Sequence, residues 1–156
     1  MISTAPLAIP VSYLLRSIPS AYIAGRLVKH VDIRDVGDGN MGAANTFREV
    51  GFIPGLMVAL VDVGKGISAV LLTKGLGLPD ILVYIAGVAA VLGHDYPIFL
   101  QFRGGRGAST AIGVLLALMP RETLILAGIA GIPFVLTINF TAVIGIMLGA
   151  LFLLAW

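Results

Sequence analysis

Apolar stretches separated by a few polar, glycine-bearing loops leave this chain little choice of architecture. They cover residues 6–28, 52–72, 79–92 (with an extension towards 99), 108–119, 123–138 and 141–156. Hydrophobic residues make up 58% of the 156 positions and charged residues only 12%, about half the ~25% of an ordinary soluble domain. The pattern predicts an all-α fold, a polytopic transmembrane bundle of about five to six membrane helices. The 20 glycines and 8 prolines fit that class, since both are commoner in membrane helices than in soluble ones. Several stretches fall short of the ~20 residues a perpendicular span needs, so some helices are expected to be broken or only partly inserted. Residues 1–156 read as one integral membrane domain.

The same composition excludes several functions. There is no cysteine, which removes disulfides and thiolate metal sites. His30 and His94 are too few for a histidine cluster, so no metal and no other cofactor is expected. A net charge of +2 without a basic stripe gives no basis for a nucleic-acid partner. No basic residue precedes the first apolar run, so that run is not expected to be a cleaved signal peptide. Arg26, Lys29, Arg34 and Arg48 precede the second stretch, and Arg103 and Arg106 follow the third. Two crossings separate these groups, so they share a face. The excess of basic residues makes that face cytoplasmic and puts the N-terminus outside.

The most informative polar segment is 93–110, between two apolar runs. Gly104, Gly105, Arg106 and Gly107 are followed by Ser109, Thr110 and a new apolar run. Glycines let backbone amides approach an anion, arginine and hydroxyls add donors, and a helix N-terminus behind them favours negative charge. This is a candidate phosphate site at a membrane edge. The spacing is not that of a Walker A loop.

A second polar loop, 31–48, carries Gly37, Asp38, Gly39, Asn40, Gly42 and Asn45 and ends near Arg48. It reads equally as a solvated connector or as a second wall of the phosphate site, with asparagine donors and a bidentate arginine. Asp62 and Lys65 lie three apart on one face of the second stretch. Intramembrane charges are costly and usually functional, so Lys65 is expected to face a polar site with Asp62 orienting it. The alternative is an internal ion pair that fixes helix packing. His94, where the third stretch meets the glycine-rich loop, reads as an interfacial hydrogen-bonding residue or as part of the chemistry. Arg16, inside the first stretch, pairs with Asp62, snorkels or reaches a water-filled cavity.

Together these residues resemble the bacterial acyl-phosphate:glycerol-3-phosphate acyltransferases. The resemblance rests on three stretches: 32–45 with Arg48 beyond it, 62–66, and 93–110. It implies an enzyme of the bacterial cytoplasmic membrane in phospholipid synthesis. Such enzymes move a fatty acyl group from acyl phosphate, not acyl-CoA, to the 1-hydroxyl of glycerol 3-phosphate, without a metal, and give lysophosphatidic acid. The candidate catalytic set is then Asp38, Asn40, Arg48, Lys65 and His94. Asn45, Gly104, Gly105, Arg106, Gly107, Ser109 and Thr110 would bind phosphate, Asp62 would orient Lys65, and the acyl chain would lie among membrane lipids.

This sequence departs from the family pattern at identifiable places. Asp38 stands where the family usually has serine, and Ala44 where it has threonine. Arg106 replaces a lysine, exchanging a point cation for a planar fork. Arg16 replaces a small residue. An ionised carboxylate at 38 accepts but cannot donate, which makes it a candidate base for the attacking hydroxyl. The resemblance also implies a third motif with a histidine, an asparagine and a glutamate, and none follows before Trp156. A short divergent member, a protein partner that supplies this wall, and a truncated sequence all fit. Two other functions stay open: a non-catalytic membrane paralogue that binds a phosphorylated lipid precursor, and a small transporter.

Overall fold

Pro19 decides the shape of the first apolar stretch. A proline lacks an N–H and its ring clashes with the carbonyl four residues back, which kinks or breaks a helix, and here the helix ends before it. In the computed structural model, which describes residues 5–137, Gly149 and Phe152, the stretch is two helices. They are α1 (Ala5–Arg16) and α2 (Ser20–Val28). The single span expected over 6–28 is therefore a broken one. The apolar stretch expected over 141–156 lies outside the described residues except at Gly149 and Phe152.

The remaining apolar stretches form α4 (Phe52–Gly75), α5 (Asp80–Asp95), α6 (Ala108–Leu118) and α7 (Pro120–Thr137). A short helix, α3 (Ala43–Glu49), interrupts the first polar loop, where only turns were expected. Among the described residues there is no strand. The 24 residues of α4 rise ~36 Å, enough for a ~30 Å hydrocarbon core. Leu56, Leu60, Leu71 and Leu72 on α4 and Ile81 and Val88 on α5 stay exposed, as lipid-facing residues would. By contrast α6 has 11 residues and rises only ~16 Å, too short to cross alone.

The chain packs as two units, Met1–Val114 and Leu115–Trp156. In the second, Thr123 in the first turn of α7 donates its hydroxyl to Met119 O at 2.7 Å. The first unit contains both polar loops. A small core of Ala21, Ile33, Met41, Ala43, Val50 and Val58 pins the first loop to α2, α3 and α4. Close helix approach positions the second loop. A Cβ on Gly66 of α4 would collide with Thr110 O of α6, and one on Gly113 of α6 with Val63 O of α4.

Candidate active site

The break in the first span exposes a carbonyl, and α4 answers it. Lys65 Nζ donates to Ile18 O at 2.6 Å, to Ser20 Oγ at 3.2 Å and to Asp62 Oδ1 at 2.8 Å. An ammonium has three donors, and all three are used. Ser20 Oγ also donates to Asp62 Oδ1 at 2.5 Å, and His94 Nδ1 lies 3.6 Å from the same oxygen. Lys65 thus staples α2 to α4 rather than offering an N–H to a substrate, which differs from the role expected of it. Asp62 is fully buried and organises this cluster. Arg16 does not pair with Asp62. It is 2% exposed and donates through Nε to Lys65 O at 3.1 Å and through Nη2 to Ser68 Oγ at 2.8 Å.

The first loop is held by its own side chains. Asp32 accepts from Arg34 N at 3.0 Å, Arg34 Nε at 2.9 Å and Arg34 Nη2 at 2.7 Å. Those side-chain hydrogen bonds hold the Asp32 carboxyl at about 2, below its ordinary 3.8. Arg26 and Arg34 both sit over the Tyr22 ring, 5.2 and 5.5 Å from its centroid. Asn45 is fully buried. Its Nδ2 donates to Ile33 O at 3.1 Å and Val36 O at 3.0 Å, and its Oδ1 accepts from Asp38 N at 3.3 Å. Asn45 therefore clamps the loop and has no amide left for a phosphate. Gly37 makes this possible. Its φ is +62°, and a Cβ there would overlap Asn45 Oδ1. Gly37→Ala is expected to lose about 1–2 kcal/mol from left-handed backbone alone, and more as Asn45 is displaced. Thermal unfolding in detergent checks this, and a variant as stable as the wild type would remove the clamp.

Asp38 and Arg48 face each other across this loop. Arg48 Nη2 donates to Asp38 Oδ2 at 2.7 Å, and Asn40 N donates to Asp38 Oδ1 at 3.1 Å. Both side chains are about half exposed. The arginine expected to grip an anion is engaged by the carboxylate at the position where the family usually has serine. Any anion that Arg48 were to bind in this way would have to displace Asp38. Asp38→Ser is expected to lower the KM for a phosphorylated substrate severalfold, with kcat unchanged or higher. Steady-state kinetics decides it, and a large loss of kcat would instead make Asp38 part of the chemistry.

The second loop is built onto the end of α5. Gly104 N donates to Asp95 O at 3.0 Å and Gly105 N to His94 O at 3.2 Å. These amides cap α5 carbonyls, so they do not cradle an anion as expected. A Cβ on Gly105 would press on His94 Nε2 and lie 3.1 Å from Met41 O. The two polar loops therefore meet at Gly105. Between them lies a cleft of about 420 Å3 lined by Asp32, Arg34, Asp35, Gly39, Gln101, Arg103 and Gly104. The expected donors that remain are Arg106, exposed and without an ion pair among the described residues, and the start of α6. The first intrahelical bond there is Ala111 N to Gly107 O at 2.7 Å. The amides of Ala108, Ser109 and Thr110 lie in the turn that has no intrahelical acceptor. Thr110 is fully buried, and its hydroxyl finds no partner among the described residues.

This arrangement can be compared with known proteins. The family described as glycerol-3-phosphate acyltransferase matches residues 6–156. The chain belongs to that family. A glycerol-3-phosphate acyltransferase 2 of Moorella thermoacetica is 53% identical over 114 residues, 73% of this chain and 58% of the relative. A glycerol-3-phosphate acyltransferase of Parasynechococcus marenigrum is 49% identical, covering 76% of this chain and 56% of its own length. A glycerol-3-phosphate acyltransferase 4 of Dehalococcoides mccartyi is 45% identical over 91% of this chain and 77% of itself. The chain thus spans little more than half the length of the first two relatives. Among solved structures, PlsY, an integral membrane glycerol 3-phosphate acyltransferase, matches in its glycerol 3-phosphate form. Its TM-score is 0.89 at 35% identity, over 98% of this chain and 78% of PlsY. Its lysophosphatidic acid form matches at 0.84 and 34%. The all-helical membrane fold expected from the apolar pattern is that of this family, and the chain is a membrane protein.

The sequence pattern missed Asp95, whose Oδ1 is buried without a hydrogen bond among the described residues. The available signal was a carboxylate at the end of an apolar run.

Proposed function

We propose that this chain transfers a fatty acyl group from acyl phosphate to the 1-hydroxyl of glycerol 3-phosphate and yields lysophosphatidic acid. The polar loops face the cytoplasm and the N-terminus lies outside, as the basic residues favour. One observation carries the reading. The likeness to PlsY, whose solved forms hold glycerol 3-phosphate and lysophosphatidic acid, covers 98% of this chain and includes both polar loops. Acyl phosphate as donor follows from the motif resemblance in 32–48, 62–66 and 93–110.

Arg106, Ser109 and the open amides at the start of α6 bind one phosphate. Arg48, released from Asp38, and Asn40 bind another. Asn45, Lys65 and Asp62 hold the loops and the broken span in register, and His94 links that cluster to Gly105. Acyl phosphate is already activated, so the protein has to align hydroxyl and carbonyl and stabilise the charge of the departing phosphate. The acyl chain lies among the exposed apolar side chains of the helices.

The test supplies purified protein in liposomes with radiolabelled glycerol 3-phosphate and either palmitoyl phosphate or palmitoyl-CoA. Labelled lysophosphatidic acid from palmitoyl phosphate alone is the expected result. Product from palmitoyl-CoA alone would overturn the donor. No product from either would favour a non-catalytic member that binds a phosphorylated lipid precursor.

A further inference from the structure

Arg16 is a charge of the first span that neither polar loop uses. It donates through Nε to Lys65 O and through Nη2 to Ser68 Oγ. An arginine carries five N–H donors, so both hydrogens of Nη1 are left without an acceptor among the described residues. Arg16 also forms no ion pair there. A charge inside a membrane is costly unless an opposite charge or water meets it. Lys65 and Asp62 balance each other nearby, and Arg16 has no such partner.

Ser12 and Arg16 lie four residues apart on one face of α1. They are 4% and 2% exposed. Both line a groove of about 360 Å3 between α1 and the far end of α4, with Val11, Leu71, Leu72 and Leu76 among its other walls. Those four apolar side chains are about half exposed, so the groove opens towards lipid. It therefore offers a buried cation and a hydroxyl beside an apolar channel, which is the complement of an anionic amphiphile.

We infer that this groove binds the anion of a long-chain fatty acid, with the carboxylate on Arg16 and the chain along Val11, Leu71, Leu72 and Leu76. One carboxylate balances one guanidinium and matches its planar fork. A phosphate monoester carries closer to two charges, and the second would stay unbalanced in the groove. The volume is near the lower end of small-molecule sites, which suits one chain rather than the two of a phospholipid. The direction fits too. Arg16 holds Lys65 O, one turn past Asp62, and Asp62 lies against His94 in the last turn of α5. The carboxylate thus sits towards the end of the bundle that carries the polar loops. From Ser68 to Gly75, α4 gives the chain a further ~10 Å towards the opposite end. This site is separate from the polar loops, and it does not depend on acyl transfer.

Binding of tritiated palmitate to the purified protein in detergent, followed by scintillation proximity, tests the inference. The wild type is expected to bind palmitate saturably. Hexadecanol, an uncharged chain of the same length, should compete at least ~10-fold more weakly, because it cannot form the charge-assisted contact. Arg16→Leu should bind palmitate at least ~10-fold more weakly. Gly75→Phe keeps Arg16 and covers the case in which Arg16→Leu does not fold. Gly75 lines the same groove, and a Cβ there meets nothing within 4 Å, so the added ring takes up groove space without a clash. It should weaken palmitate as well, with a melting temperature like that of the wild type. Absence of saturable binding to the wild type would overturn the inference, as would equal competition by hexadecanol. A folded Arg16→Leu or Gly75→Phe with wild-type affinity would do the same. Binding that is lost in Arg106→Ala and kept in Arg16→Leu would put palmitate at the start of α6 and remove the groove.

Discussion

Asp62→Ala is expected to destabilise the protein by about 3–5 kcal/mol, because it leaves a buried ammonium without its counter-charge. Lys65 is 9% exposed and would keep only Ile18 O and Ser20 Oγ as acceptors. Ser20 would lose its own acceptor in the same step, so the break between α1 and α2 would loosen from α4. The double variant Asp62→Leu/Lys65→Met should regain most of the loss, since a buried pair can often be replaced by apolar side chains of similar volume. Circular dichroism melts in detergent give both numbers. An Asp62→Ala protein within about 1 kcal/mol of wild type would mean that the pair does not hold the span. The double variant separates stability from chemistry. If it folds and turns over, Lys65 is structural, as its three engaged donors indicate.

The second large effect belongs to Gly66. Adding a methyl group there is expected to push α6 off α4. The new Cβ would collide with Thr110 O and lie 2.7 Å from Val114 N and 3.0 Å from Gly113 C. These are backbone atoms of a helix, so no side chain can rotate away. Overpacking of this kind costs about 1–3 kcal/mol, occasionally more. Because α6 carries Ser109 and Thr110, Gly66→Ala should also reduce acyl transfer. Gly64→Ala is the control on the same helix, since a Cβ there meets nothing within 4 Å. It should be neutral or slightly stabilising through helix propensity. Equal melting temperatures for the two variants would mean that α4 and α6 do not depend on this contact.

Hydropathy carried much of the fold. The apolar stretches at 52–72, 108–119 and 123–138 match α4, α6 and α7 to within a few residues. The break at Pro19 was harder to read, because Arg16, Ser17 and Pro19 are single residues inside a run whose average stays apolar. Helix α3 was missed because Gly37, Gly39 and Gly42 precede it and only seven residues follow, too few for a periodic signal. In the site, residue types pointed to the right loops but not to how each group is used. A glycine-rich run looks the same in sequence whether its amides face a ligand or cap a helix, and here Gly104 and Gly105 cap α5. Asn45, Lys65 and Arg48 are polar residues of a kind that binds phosphate. Which of their donors remain free depends on Ile33 O, Ile18 O and Asp38, each distant in sequence or on another element.

The proposed function depends most on Arg106 and the start of α6 as one of the two phosphate sites, which we propose holds glycerol 3-phosphate. Calorimetric titration of the purified wild type and of Arg106→Ala, in the same detergent and without donor, tests it most directly. The wild type is expected to bind. The variant should bind at least ~10-fold more weakly, about 1.4 kcal/mol, with an unchanged melting temperature. Equal affinity in the two proteins would contradict the account and move the phosphate to the cleft between Arg34 and Arg103.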